Sequence, residues 1–122
     1  AVWVDLPDEL RGGTQVLTPS RSPPSASWDY VRLMLTSSAP SYVYVLRDTR
    51  GCPPHGTLPL WLTSGFDQVE GEVARAEGPG GGSQFEVYRS KKPLEGVVRL
   101  GSNSAYPSRG ARYNFAVILQ PA

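Results

Sequence analysis

A chain of 122 residues, 39 % hydrophobic and 19 % charged, has the size and composition of one globular domain, which excludes a disordered tail and a helical membrane protein. Twelve bases against eleven acids leave a net charge of +1. The only adjacent bases are Lys91-Lys92, so the sequence has no cation cluster of the kind that faces nucleic-acid phosphates. A basic stripe assembled in space from Arg47, Arg50, Arg109 and Arg112 is disfavoured for the same reason.

In chain order, helical periodicity is nearly absent. Pro7-Asp8-Glu9-Leu10-Arg11 before Gly12-Gly13 supports one turn at most. Period-two alternation recurs instead. Val31, Leu33 and Leu35 alternate with Tyr30, Arg32 and Met34, and Phe85 and Val87 alternate with Glu86 and Tyr88. Tyr113, Phe115, Val117 and Leu119 alternate with Asn114, Ala116 and Ile118. Such patterns send one side-chain set to a core face and the other to solvent or a second layer. Tyr42-Val43-Tyr44-Val45-Leu46 is apolar on both faces, as a central strand would be.

Strands are therefore predicted near 14–18, 28–36, 42–48, 68–75, 84–90, 96–100 and 112–120, with 2–4 as an extra edge. Thirteen Gly and twelve Pro fall mostly between these runs, notably in the turn-rich stretches 19–27, 51–57, 78–83 and 102–110. Seven to eight short strands with such connections predict an all-β fold, an antiparallel β-sandwich of jelly-roll type, as a single domain over 1–122. No internal repeat is evident. The missing initiator Met predicts a domain cut from a larger protein, and its first residues contain no signal-peptide core.

The chemistry-bearing residues are sparse. Cys52 is the single cysteine and His55 the single histidine, three residues apart in a Pro/Gly loop with no third orienting group. An exposed loop histidine and a small half-buried cysteine are the expected reading, and two ligands cannot complete a zinc site. Asp5, Asp8 and Asp29 match no calcium-loop spacing, and the 78–83 tract lacks the Gly-Lys-Ser/Thr of a phosphate-binding loop. No metal, no cofactor and no catalytic residue are predicted, so the chain is not expected to be an enzyme.

Asp48 ends the most apolar strand. Arg50, two residues on, shares its face in an extended chain, so the pair is expected to bond to each other or to loop amides and to fix the strand end. Trp61, in Leu58-Pro59-Leu60-Trp61-Leu62, admits two readings: a flat platform for a sugar ring, or a plug in the core among its leucines. The core is favoured. Trp61, Tyr44 and Arg47 are nonetheless the ligand-binding candidates of the chain.

Several short motifs in order carry a family resemblance. They are Leu6-Pro7-Asp8-Glu9-Leu10-Arg11-Gly12, then Val43-Tyr44-Val45-Leu46-Arg47-Asp48-Thr49-Arg50, then Leu58-Pro59-Leu60-Trp61-Leu62 followed by Phe66. Later come Phe85-Glu86-Val87-Tyr88, Gly96-Val97-Val98-Arg99-Leu100-Gly101-Ser102-Asn103, and a closing strand with Tyr113 and Val117. Together they resemble the accessory β-sandwich module found beside catalytic domains in bacterial extracellular polysaccharide-degrading enzymes. The chain departs from that pattern in the 51–57 insertion, in Ser102 where the family carries a second Gly, and in the lengthened 78–83 loop. The resemblance implies a secreted, non-catalytic domain associated with polysaccharide or with positioning a neighbouring domain, and turn or packing roles for Asp48, Arg50, Gly101 and Asn103. The alternative is a protein–protein interaction module that uses the 51–57 and 78–83 loops. Neither nucleic acid nor membrane is expected as a partner.

Overall fold

The computed structural model describes residues 3–5, 10–16, 31–35, 40–48, 60–76, 83–101 and 115–122. These form eight strands and one short helix: β1 (Trp3–Asp5), β2 (Thr14–Val16), β3 (Val31–Leu35), β4 (Ser41–Asp48), α1 (Leu60–Gly65), β5 (Phe66–Ala76), β6 (Ser83–Ser90), β7 (Gly96–Leu100) and β8 (Phe115–Pro121). The chain is all-β, and every strand pair is antiparallel. Each predicted strand has its counterpart, the edge strand at the N-terminus included. Among the described residues no helix is long and apolar enough to cross a membrane.

Six strands make one sheet in the order β1-β5-β6-β4-β8-β2, and β3 pairs with β7 in a second. The jelly-roll arrangement expected from sequence involves segments outside the described residues. β4 lies in the middle of the large sheet, between β6 and β8, where its double-sided apolar run places it. On one face of that sheet Val43, Val45, Tyr88 and Val117 cluster with Leu100 of β7 and with Trp61, Leu62 and Phe66. Leu35 and Val98 of the two-stranded sheet pack against the same cluster. Tyr44, Leu46, Ala74, Phe85, Val87, Ala116 and Ile118 make a second cluster with Leu10 on the opposite face. Burial on both faces is why β4 reads as an unbroken apolar run, and it extends to β8, where Ala116 and Ile118 are buried as well as Val117 despite the alternation read there.

The helix α1 is the element that periodicity does not predict. At six residues it is shorter than two helical turns, too short for a 3.6-residue repeat to show. Tertiary packing holds it: Trp61 and Leu62 are buried, whereas Thr63 and Ser64 face solvent. Of the candidate turn at Pro7–Arg11, residues 7–9 lie outside the described residues, and the chain is described from Leu10 on. The Gly13 amide donates to the Leu10 carbonyl at 3.3 Å, and Gly12 takes a φ of 79° that favours glycine.

Strand ends are tied by a few specific bonds. The Val43 amide donates to Ser90 Oγ at 3.1 Å, and Ser90 is itself buried. Beyond Ser90 the Lys91 amide donates to the Gly65 carbonyl at 3.0 Å, and Leu94 exchanges both backbone bonds with Ser41. These contacts anchor the chain as it leaves β6 for the small sheet. β5 carries an irregularity between Gln68 and Val73, where Gly71 adopts a φ of 78°.

Candidate functional site

Opposite residues of an antiparallel pair project from the same face. Asp67 of β5 stands opposite Arg89 of β6, Arg89 opposite Tyr44 of β4, and Tyr44 opposite Ile118 of β8. One row thus crosses four neighbouring strands on the face away from the two-stranded sheet. It lies at the end where β4 and β5 begin and β6 and β8 finish. The next row towards that end contains Tyr42 opposite Gln120.

In these two rows Tyr44 and Ile118 are buried, Tyr42 and Gln120 half-buried, and Asp67 and Arg89 exposed. The Arg89 guanidinium carbon lies over the Tyr42 ring, 5.3 Å from its centroid, within cation–π range. Gln120 Nε2 donates to the Arg11 carbonyl at 3.2 Å, which brings the exposed Arg11 to the rim. Lys91 and Lys92 follow β6 directly and are exposed. The result is a shelf: an apolar floor, a stacked aromatic–guanidinium pair, and a carboxylate and an amide beside it.

The three ligand candidates from sequence do not converge. Trp61 is 9 % exposed and meets Phe66 edge-on, with ring centroids 6.0 Å apart and planes at 89°, inside the first core cluster. It fills the core, as its leucine neighbourhood predicts, and offers no open ring face. Tyr44 lies on the opposite face of the sheet and is the floor of the shelf rather than its surface. Arg47 is 5 % exposed and belongs to the Trp61 side, since Val43, Val45 and Arg47 alternate with Tyr44 and Leu46.

Arg47 has a structural setting of its own. It stands opposite Glu86 on β6 and opposite Phe115 on β8. Its Nη1 is 3.7 Å from Glu86 Oε1, and the Tyr88 hydroxyl donates to the same oxygen at 3.2 Å. Glu86 is the more open partner, with about a third of its side chain accessible. A carboxylate shared between a buried guanidinium and a buried phenol stabilises the end of the core; along the chain its only trace is the placement of Glu86 and Tyr88 two residues apart.

The remaining expected sites are only partly covered. Asp48 ends β4 opposite Phe85, and Gly101 is buried just after β7. Arg50, Asn103, Cys52, His55 and the 51–57 and 78–83 loops lie outside the described residues. Among the described residues no group of three or more His, Cys, Asp or Glu side chains comes together. The exposed large hydrophobic residues among them, Val73 and Val97, sit on strands of different sheets and make no common patch.

Residue type explains why the shelf escaped a linear reading. Tyr42, Asp67, Arg89 and Gln120 come from four strands, and only the register brings them side by side. The one available signal was the run of β4, whose even-numbered tyrosines had to share a face. No protein-family model, curated protein or solved structure matches the chain.

Proposed function

We propose that the chain is a sandwich-type, non-catalytic accessory domain that binds a glycan on the Tyr42–Arg89 shelf and so positions a neighbouring catalytic domain, in a secreted protein. The observation that carries this reading is the half-buried Tyr42 ring beneath Arg89, with Gln120 opposite Tyr42 and Asp67 opposite Arg89. A pyranose presents apolar C–H faces and a ring of hydroxyl groups, so it needs a flat amphipathic surface bordered by donors and acceptors. Arg89 and Gln120 supply donors, the Asp67 carboxylate and the Gln120 carbonyl supply acceptors, and the phenol supplies the apolar surface. The order of sequence motifs that resembles accessory modules of polysaccharide-degrading enzymes supports the same class.

The test is affinity electrophoresis in gels cast with a panel of soluble polysaccharides. The wild-type chain is expected to be retarded in at least one of them, and Tyr42→Ala to migrate as it does in a plain gel. The melting curve of the variant serves as a folding control. Retardation that survives Tyr42→Ala would place binding elsewhere, and no retardation in any gel would remove the glycan reading.

A further inference from the structure

The charge around the shelf is unlike that of the chain as a whole. Twelve bases and eleven acids nearly cancel over the full sequence. At this end of the sheet Arg11, Arg89, Lys91 and Lys92 are all exposed, against Asp67 on the shelf and Glu95 beyond the Ser41–Leu94 bridge. Four exposed bases thus share this end of the sheet with these two acids, and the acid in the row stands directly opposite Arg89. The Arg89 guanidinium carbon lies 5.3 Å from the Tyr42 ring centroid, and a guanidinium is the side-chain group whose fork of donors matches a planar carboxylate or two oxygens of a sulfate.

We infer that the shelf selects an anionic polysaccharide, with Arg89 holding the acidic group, Tyr42 orienting Arg89 as a positioning residue, and Arg11, Lys91 and Lys92 adding long-range attraction. The inference rests on the glycan reading above and specifies the ligand class at the same site. Carboxylate and sulfate share the oxygen-fork chemistry that Arg89 recognises. A sugar's remaining hydroxyl groups meet Asp67 and Gln120, which separates a polysaccharide from a bare anion.

The experiment measures retardation in gels containing polygalacturonate, dextran sulfate or neutral dextran, at low and high salt. Five chains are compared: wild type, Arg89→Gln, Tyr42→Leu, Tyr42→Phe and Arg99→Gln. Arg99, exposed on β7 in the other sheet, removes the same charge away from the shelf. Wild type is expected to be retarded by one or both anionic gels and not by dextran, and the gel that retards it identifies the acidic group. Arg89→Gln should bind at least about tenfold more weakly, as loss of a charge-assisted bidentate contact does. Tyr42→Leu should lose part of that affinity, and Tyr42→Phe, which keeps the ring, should restore it. Arg99→Gln should bind as wild type, and added salt should weaken binding in every chain that binds.

Equal loss in Arg89→Gln and Arg99→Gln would reduce the effect to bulk charge and overturn the inference. Undiminished binding by Arg89→Gln would overturn it as well. Retardation by dextran as strong as by the anionic gels would overturn the anionic preference and leave the glycan reading intact. Failure in all three gels, together with failure across the wider panel above, would remove both.

Discussion

The two faces of the six-stranded sheet use the same kinds of residue to different ends. Beneath the two-stranded sheet, Val43, Val45, Tyr88 and Val117 are covered by Leu100, Trp61 and Phe66, and the charge pair Arg47–Glu86 lies at the margin. Across the sheet, Tyr44, Leu46, Phe85, Val87 and Ile118 are just as buried at the centre, but the face opens at one end into Tyr42, Arg89, Asp67 and Gln120. On the first face the charged pair lies at the margin of a covered core; on the second the polar groups lie at the surface beside an aromatic ring. An arginine therefore sits differently on the two faces: Arg47, at 5 % exposure, is a buried ion, while Arg89 is exposed at the surface, where the proposed site would use it.

The strongest way to break this contrast is at Trp61. Its ring is enclosed by the first cluster and braced edge-on by Phe66. Trp61→Ala is expected to destabilise by about 3–5 kcal/mol, the cost of deleting a buried aromatic side chain, and a thermal or denaturant melt reads it directly. A melt that matches wild type would mean that the ring is not core and would reopen it as a binding surface.

Glu86 tests the margin of the same face. Removing its carboxylate leaves the buried Arg47 without this counter-ion and the Tyr88 hydroxyl without this acceptor. The open side of Glu86 lets water replace part of what is lost, so Glu86→Ala is expected to cost about 1–3 kcal/mol, less than a fully buried pair would. Replacing both charges, as Arg47→Met with Glu86→Leu, should recover much of that loss in a double-mutant cycle. Additive losses would show that the pair is not a unit.

The fold was legible in the sequence because its determinants are local. Alternation in 84–90, the double-sided run of β4, and Gly/Pro punctuation between strands each report on a few adjacent residues, and each strand formed where they indicated. The Leu10–Gly13 turn was legible for the same reason, since Gly12 marks a backbone conformation of its own. What stayed hidden was anything that depends on register or on very short length. The six residues of α1 hold no full repeat, so Trp61 read as part of an irregular apolar segment. The shelf depends on which residue of β5 faces which residue of β6, and the irregularity at Gly71 alters that count within β5 itself. Tyr44 and Arg47 are three residues apart on one strand, and odd spacing alone was enough to place them on opposite faces; a shared site for them was excluded by the pleat.

Gly13 probes the second face from its edge. A Cβ built there would lie 2.7 Å from Ile118 Cγ2, 2.9 Å from the Leu119 carbonyl oxygen and 3.0 Å from Gln120 Nε2. The backbone oxygen cannot move without shifting β8 in its pairing with β2, so Gly13→Ala is expected to cost about 1–3 kcal/mol, as overpacking does. The same substitution should weaken glycan retardation, because Gln120 belongs to the shelf. A variant of native stability and native binding would mean that the β2–β8 edge yields freely.

The smallest expected change in stability belongs to Arg89, and it carries the sharpest contrast with Arg47. Both arginines sit on neighbouring strands of one sheet, and both touch an aromatic or acidic partner. Arg89, however, is exposed, and its stack on Tyr42 contributes only about 0.5–1 kcal/mol at a surface site. Gln retains the aliphatic stem that covers part of the ring, so Arg89→Gln should shift stability by no more than about 0.5 kcal/mol, as ordinary surface substitutions do. Arg47→Gln, by comparison, leaves a buried amide in place of an ion-paired guanidinium and should cost more. Parallel melts of the two variants decide the matter. If Arg89→Gln proved as destabilising as Arg47→Gln, the second face would be as closed as the first, and Arg89 would be a structural ion rather than a ligand group.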